Sequence, residues 1–169
     1  RADSHYKPGV TEVMLYKLCY SDEERDRLDR VNVSVTPFDE RHLQGVTELI
    51  LGGVLPKYFR GIDQGWVNAL FSGYERRATG DVNAKYKLIF VATDREGSVL
   101  GVAGATPKKG QPIKIMPCLA SDPQAFAALI ADLPQHLKDY GHKLYIHIVP
   151  TVEETVILQR LGWTLSKQS

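Results

Sequence analysis

Hydrophobic and polar residues change their period several times along the chain, and each change marks an element. Val31, Val33 and Val35 alternate with Asn32, Ser34 and Thr36, the period-two pattern of a strand with one buried face, and Pro37 stops it. Ahead of it, the apolar run Val13 to Tyr20 reads as a strand or a short helix, and Ser21 with Glu24, in capping-box spacing, opens the charged and exposed helix Asp22 to Arg30. Asp39 caps a helix in which Leu43, Val46 and Ile50 recur at helical spacing, and Gly52 and Gly53 end it. A second helix carries the stripe Ile62, Trp66, Leu70 and Tyr74 up to Gly80. Such an aromatic stripe is ordinarily core rather than a cofactor box.

From Tyr86 the period returns to two, with Leu88, Phe90 and Ala92 facing one way and Ile89 and Val91 the other, so this is a central strand covered on both faces. The turn Asp94-Arg95-Glu96-Gly97 joins it to a strand over Val99 to Thr106, with glycine where a positive φ is expected. Lys108-Lys109-Gly110 turns the chain into a third strand, Ile113 to Leu119. Ser121, Asp122 and Pro123 then open a helix striped by Phe126, Leu129, Ile130, Leu133, Leu137 and Tyr140. Pro134 is expected to kink it and Gly141 to end it. The strand Lys143 to Val149 follows, then a helix capped by Thr151 and Glu154 that stops at Gly162, and a last strand from Trp163.

Composition narrows the function classes. The chain has 169 residues, enough for one domain with a sizeable core. Residues 1–30 read as an N-terminal extension or linker with a short helix, and residues 31–169 as the domain. A charge of +1 gives no field to attract a nucleic acid or an anionic membrane, and no apolar run is long enough to cross a bilayer. The two cysteines, Cys19 and Cys118, fit neither a disulfide framework nor a metal site, so a cytoplasmic setting is expected. The chain opens on arginine without a secretory signal, and reads as a fragment with a further domain expected N-terminal to it.

The order strand, two helices, three antiparallel strands, helix, strand, helix, strand over Val31 to Leu165 resembles the Gcn5-related N-acetyltransferase (GNAT) family. The segment LIFVATDREGSVLGVAGA looks like the family's second-to-third-strand hairpin, IKIMP like the end of its fourth strand, and LQRLGW like its closing YEKLGF signature. The resemblance implies an α/β (α+β) domain with a mixed, mostly antiparallel sheet in which the strand ending IKIMP and the strand Lys143 to Val149 are adjacent and splay apart near Met116 and Val149. Acetyl-CoA is the implied co-substrate, its pantetheine along Ile115, Met116, Pro117 and Cys118 and its pyrophosphate at the next helix N-terminus near Gln124 and Ala125.

Three positions depart from the family pattern. In the phosphate loop, Ala120 stands where the family has Arg or Gln and Pro123 where it has the first glycine, so that only Ala125 matches, and Asp122 adds a negative charge. At the closing signature, Leu158 occupies the place of the tyrosine that often acts as general acid. Acid–base candidates therefore fall on His147 and Tyr145, which share one face of their strand opposite Leu144, Ile146 and Ile148. Histidine suits proton acceptance from an amine near neutral pH, and tyrosine can return a proton to a leaving thiolate. Their bland reading is a packed pair with satisfied hydrogen bonds.

Cys118 is a nucleophile candidate whose ordinary reading is a small buried hydrophobe. Arg76, Arg77, Lys57 and Arg60 offer charge for an acidic substrate, although such residues usually only solvate a surface. Two functions are compatible with these residues. One is acyl-CoA-dependent acyl transfer to an amine on a small molecule or a protein. The other is a non-catalytic relative serving as an interaction or regulatory module of a larger protein.

Overall fold

The computed structural model describes residues 13–18, 33–52, 63–65, 67–69, 71–72, 87–107, 110–148 and 150–168. Seven strands form one sheet: β1 (Val13–Leu18), β2 (Ser34–Pro37), β3 (Leu88–Thr93), β4 (Val99–Thr106), β5 (Ile113–Ala120), β6 (Lys143–Ile148) and β7 (Thr164–Gln168), in the order β2-β3-β4-β5-β6-β1-β7. Helices α1 (Leu43–Leu51), α2 (Pro123–Leu137) and α3 (Val152–Arg160) lie between strands in the chain. Every neighbouring pair of strands is antiparallel except β5 and β6. That exception follows from the connection, since parallel neighbours need a long crossover and α2 supplies it.

Local chemistry fixes the element ends where the sequence pattern puts them. The β3–β4 turn is held by the Asp94 carboxylate, which accepts hydrogen bonds from the amides of Glu96 at 3.0 Å and Ser98 at 2.8 Å. Gly97 takes a φ of 84° there, a conformation that costs glycine nothing. Asp39 caps the 3-10 turn Glu40–His42 that leads into α1, with the His42 imidazole accepting from the Asp39 amide in return. Thr151 and Glu154 form the reciprocal box of α3, at 3.1 and 2.9 Å.

The sheet separates two apolar cores. Alternation along β3 sends Leu88, Phe90 and Ala92 into a large core with α2, α3, β5 and β6, and Ile89 and Val91 into a smaller one with α1. In the large core, Phe126, Leu129, Ile130, Leu133 and Leu137 of α2 meet Leu144 and Ile146 of β6, all of them fully buried. In the small core, Val46 and Ile50 pack with Phe38, Val67 and Phe71, the rings of Phe38 and Phe71 being 4.8 Å apart. Residues 64–65, 67–69 and 71–72 are helical, but the stripe Ile62, Trp66, Leu70 and Tyr74 lies outside the described residues. The same is true of the charged helix Asp22 to Arg30.

Two features differ from the sequence reading. Helix α2 runs through Pro134 and ends at Leu137, so Tyr140 lies beyond it on a turn and is exposed rather than part of the buried stripe. Val13–Leu18 is an interior strand, pairing β6 on one side and β7 on the other. These residues thus belong to the same sheet as residues 34–168, inside the segment set aside as an extension.

Close packing between β4 and α2 depends on Gly101. A Cβ there would stand 2.9 Å from Leu129 Cδ1 and 3.0 Å from the Leu119 carbonyl oxygen, and the second of these is backbone that cannot rotate away. Gly101→Ala should therefore lower the unfolding free energy by about 1–3 kcal/mol, the usual cost of overpacking a core. Denaturant unfolding reads this directly, and an unchanged midpoint would contradict the packing described.

Candidate functional site

The parallel pairing of β5 with β6 covers only Ile113 with Leu144, Lys114 with Tyr145 and Ile115 with Ile146. Beyond these residues both strands continue, β5 to Ala120 and β6 to Ile148, without further pairing to each other. The cause lies on the other side of β5. Ala103 pairs with Cys118 and Ala105 with Ile115, so Gly104 alone faces both Met116 and Pro117. An extra residue of this kind bends and twists the strand that carries it, and proline has no N–H to offer a ladder. The bulge also reverses which side chains face which core. Ile113 and Ile115 point into the large core before it; after it Cys118 does so, and Leu119 enters the small one.

The opening is therefore edged by the backbone of Met116, Pro117 and Cys118. The side chain of Cys118 is turned away into the large core and is 8% exposed. Burial raises the pKa of its thiol, with the charge of Glu154 adding to the effect. It holds its proton, which removes it as a nucleophile candidate, since the thiolate is the reactive form. Leu158 is fully buried in the same core and supplies no proton donor.

At the N-terminus of α2 the free donors are nearly used up by the chain itself. Asp122 is the cap, its Oδ1 accepting from the Ala125 amide at 2.8 Å. Pro123 at the first helical position has no N–H, and the Phe126 amide bonds the Asp122 carbonyl. Of the first turn only the Gln124 amide is left, beside a carboxylate. These groups do not fit a pyrophosphate, which needs several convergent N–H donors and no competing negative charge.

His147 and Tyr145 stand on the opposite face of β6 from the large core. They line a groove of about 410 Å³ together with Met14 and Tyr16 from β1, Lys143 from β6, and Gln111 and Pro112 before β5. The two rings meet edge to face with centroids 5.4 Å apart. Burial raises the pKa of the Tyr145 phenol, so it keeps its proton at neutral pH and is a donor. The Lys143 ammonium lies 4.3 Å above the Tyr16 ring, a cation–π contact.

Sequence reasoning missed Met14 and Tyr16, because only the pairing of Met14 with His147 and Tyr16 with Tyr145 brings them here. The basic residues Lys57, Arg60, Arg76 and Arg77 lie outside the described residues. Among the described residues no group of three or more His, Cys, Asp or Glu side chains is arranged to hold a metal, and no helix is long and apolar enough to cross a membrane.

No protein-family model and no curated protein matches the chain. Its fold, however, is found in solved structures. A protein of unknown function from Enterococcus faecalis V583, described as a probable N-acyltransferase, superposes with a TM-score of 0.63 at 12% identity, over 97% of this chain and 39% of its own. A tandem GNAT protein from the clavulanic acid biosynthesis pathway gives 0.59 at 12% identity, over 97% and 53%. A GCN5-related N-acetyltransferase from Sphaerobacter thermophilus gives 0.59 at 13% identity, over 96% and 50%. The chain thus spans about half the length or less of these proteins.

The closed N-terminus of α2 can be tested by opening it. Asp122→Gly with Pro123→Gly frees the Ala125 amide, adds one donor and removes one charge, while a cap-to-glycine change costs only about a few tenths of a kcal/mol. Calorimetric titration with CoA should show binding at least tenfold tighter than for the unaltered chain. Equal or weaker binding by a folded double variant would mean that Asp122 and Pro123 are not the obstacle.

Proposed function

We propose that this chain, which has the fold of the Gcn5-related N-acetyltransferases, transfers an acyl group from a CoA thioester to an amine, holding the donor by its pantetheine arm. The observation that carries this reading is the end of β5–β6 pairing at Ile115 and Ile146. It leaves the β6-facing backbone of Met116 to Cys118 without a strand partner, as an extended amide-bearing arm requires, on the strand next to the one that carries Tyr145 and His147.

The proton movements fall to those two side chains. As the amine nitrogen bonds to the thioester carbon, His147 takes its proton. As the carbon–sulfur bond breaks, the Tyr145 hydroxyl gives a proton to the leaving sulfur. Burial favours the protonated phenol, which is the form this role requires. The acetyl group is the acyl group expected from the fold. The donor's phosphates find no matching site at α2. One missing donor and one added carboxylate, at about 1–3 kcal/mol each, weaken donor binding by roughly one to four decades.

A second reading is favoured by that same closure: the chain has kept the fold as a non-catalytic interaction or regulatory module of a larger protein. Acyl-transfer assays on a panel of amines with acetyl-CoA separate the two. Under the first reading the unaltered chain turns over, and Tyr145→Phe and His147→Gln each lower kcat/KM by about 10²–10⁴-fold, the usual contribution of a general acid or base. No turnover, or turnover indifferent to both substitutions, would sink the catalytic assignment.

A further inference from the structure

Lys114 is directly opposite Tyr145 in β6, and Tyr145 is directly opposite Tyr16 in β1. On its other side Lys114 is opposite Thr106 of β4. Residues facing each other across a ladder send their side chains to the same side of the sheet, so Thr106, Lys114, Tyr145 and Tyr16 form one row across four strands. This row lies on the face away from α2, where the groove opens. Lys87 reaches the same face from the residue before β3. Its stem lies over Gly104, where a Cβ would stand 3.1 Å from Lys87 Cδ, and Gly104 is two residues from Thr106 on that face. The glycine of the bulge is therefore also the bed of a lysine side chain.

Among the described residues, no carboxylate compensates the two ammonium groups. Neither Lys87 nor Lys114 forms an ion pair with a described residue. Burial holds the Lys87 ammonium below the ordinary lysine range, and the charge of Lys114 lowers it further. Two cations brought onto one partly buried face, with no carboxylate of the described residues paired to them, are a cost to the fold, and an oxyanion placed against both relieves it.

We propose that Lys87 and Lys114 form an oxyanion site that holds a carboxylate or phosphate group of the amine acceptor, making the acceptor a small acidic amine. This rests on the acyl-transfer reading for the identity of the acceptor, but the anion site itself does not. The spacing suits such a molecule. Two residues along β6 separate Tyr145 from His147, and one strand separates Tyr145 from Lys114, which sets the amine and the acid group roughly 8 Å apart. The acceptor's amine then lies at His147 and its acid group at the lysines, with Tyr145 between them.

Two measurements test this. Calorimetric titrations of the unaltered chain with glutarate and with inorganic phosphate probe the anion site alone, and their relative affinities say whether carboxylate or phosphate is preferred. Binding of at least one of them is expected, weakened tenfold or more in both Lys87→Met and Lys114→Met and largely restored in Lys114→Arg. Failure of both anions to bind, or binding that both methionine variants leave unchanged, overturns the site whatever the chain catalyses. The second measurement compares 6-aminohexanoate with hexylamine as acetyl acceptors. The preference for 6-aminohexanoate, as a ratio of kcat/KM, should fall at least tenfold in each methionine variant. If the anion binds as expected while no amine is acetylated, the acyl-transfer reading fails and the oxyanion site stands. If hexylamine is preferred by the unaltered chain, the assignment of the acid group to the acceptor is wrong.

Discussion

Gly104 of β4 faces two residues of β5, and that two-to-one pairing governs the geometry of everything around it. A Cβ at this position would lie 2.8 Å from the Met116 carbonyl oxygen and 3.3 Å from Pro117 Cδ, so only a residue without a side chain lets the bulge sit this close to β4. The bulge bends β5 away from β6. It exchanges the faces of the residues that follow, burying the Cys118 side chain with α2 and leaving the backbone of Met116 to Cys118 at the opening. Across the same glycine lies the stem of Lys87. The opening and the placing of the Lys87 side chain therefore share one structural cause, and a side chain at position 104 would disturb both together.

Against this open end stands a closed one. The N-terminus of a helix is an anion site only while its N–H groups are free. Here the sequence Ser121-Asp122-Pro123 satisfies the helix internally: a capping aspartate is worth about 0.5–2 kcal/mol to it, and proline at the first position adds a preset φ. Helix stability and phosphate binding compete for the same few donors, and in α2 the helix has taken them. Under the acyl-transfer reading, a donor would gain its affinity from the strand edges rather than from its charge. Positive charge is instead found on the face of the sheet away from α2, at Lys87, Lys114 and Lys143.

Elements governed by neighbours in the chain were legible from the sequence. The two-sided alternation of Leu88 to Ala92, the Asp94 turn with Gly97, and the caps at Asp39, Asp122 and Thr151 all depend on residues within four positions of one another. So did the placing of Tyr145 and His147 on one face of β6. The row from Thr106 to Tyr16 was not legible, because it joins residues of four strands through pairings that no local pattern encodes. Nor was the position of Val13–Leu18, a run that reads equally as strand or helix until β6 and β7 give it partners on both sides. The bulge was not legible: the strand reads through Pro117 from Ile113 to Leu119, and the facing Gly104 could be chosen only once the register of β4 and β5 was known. Tyr140 failed for a simpler reason, since a stripe defined by spacing alone continues past the residue where the helix stops.

The central claim is that the β5–β6 opening receives the pantetheine part of a thioester donor while the phosphate end contributes little. Parallel calorimetric titrations with CoA and with pantetheine, which lacks the nucleotide and the pyrophosphate, test it most directly. The account predicts dissociation constants for the two within about tenfold of each other, both weakened when Gly104→Val fills the space at the bulge. CoA binding a thousandfold tighter than pantetheine, or pantetheine failing to bind where CoA does, would contradict it and return the donor's phosphates to the centre of recognition.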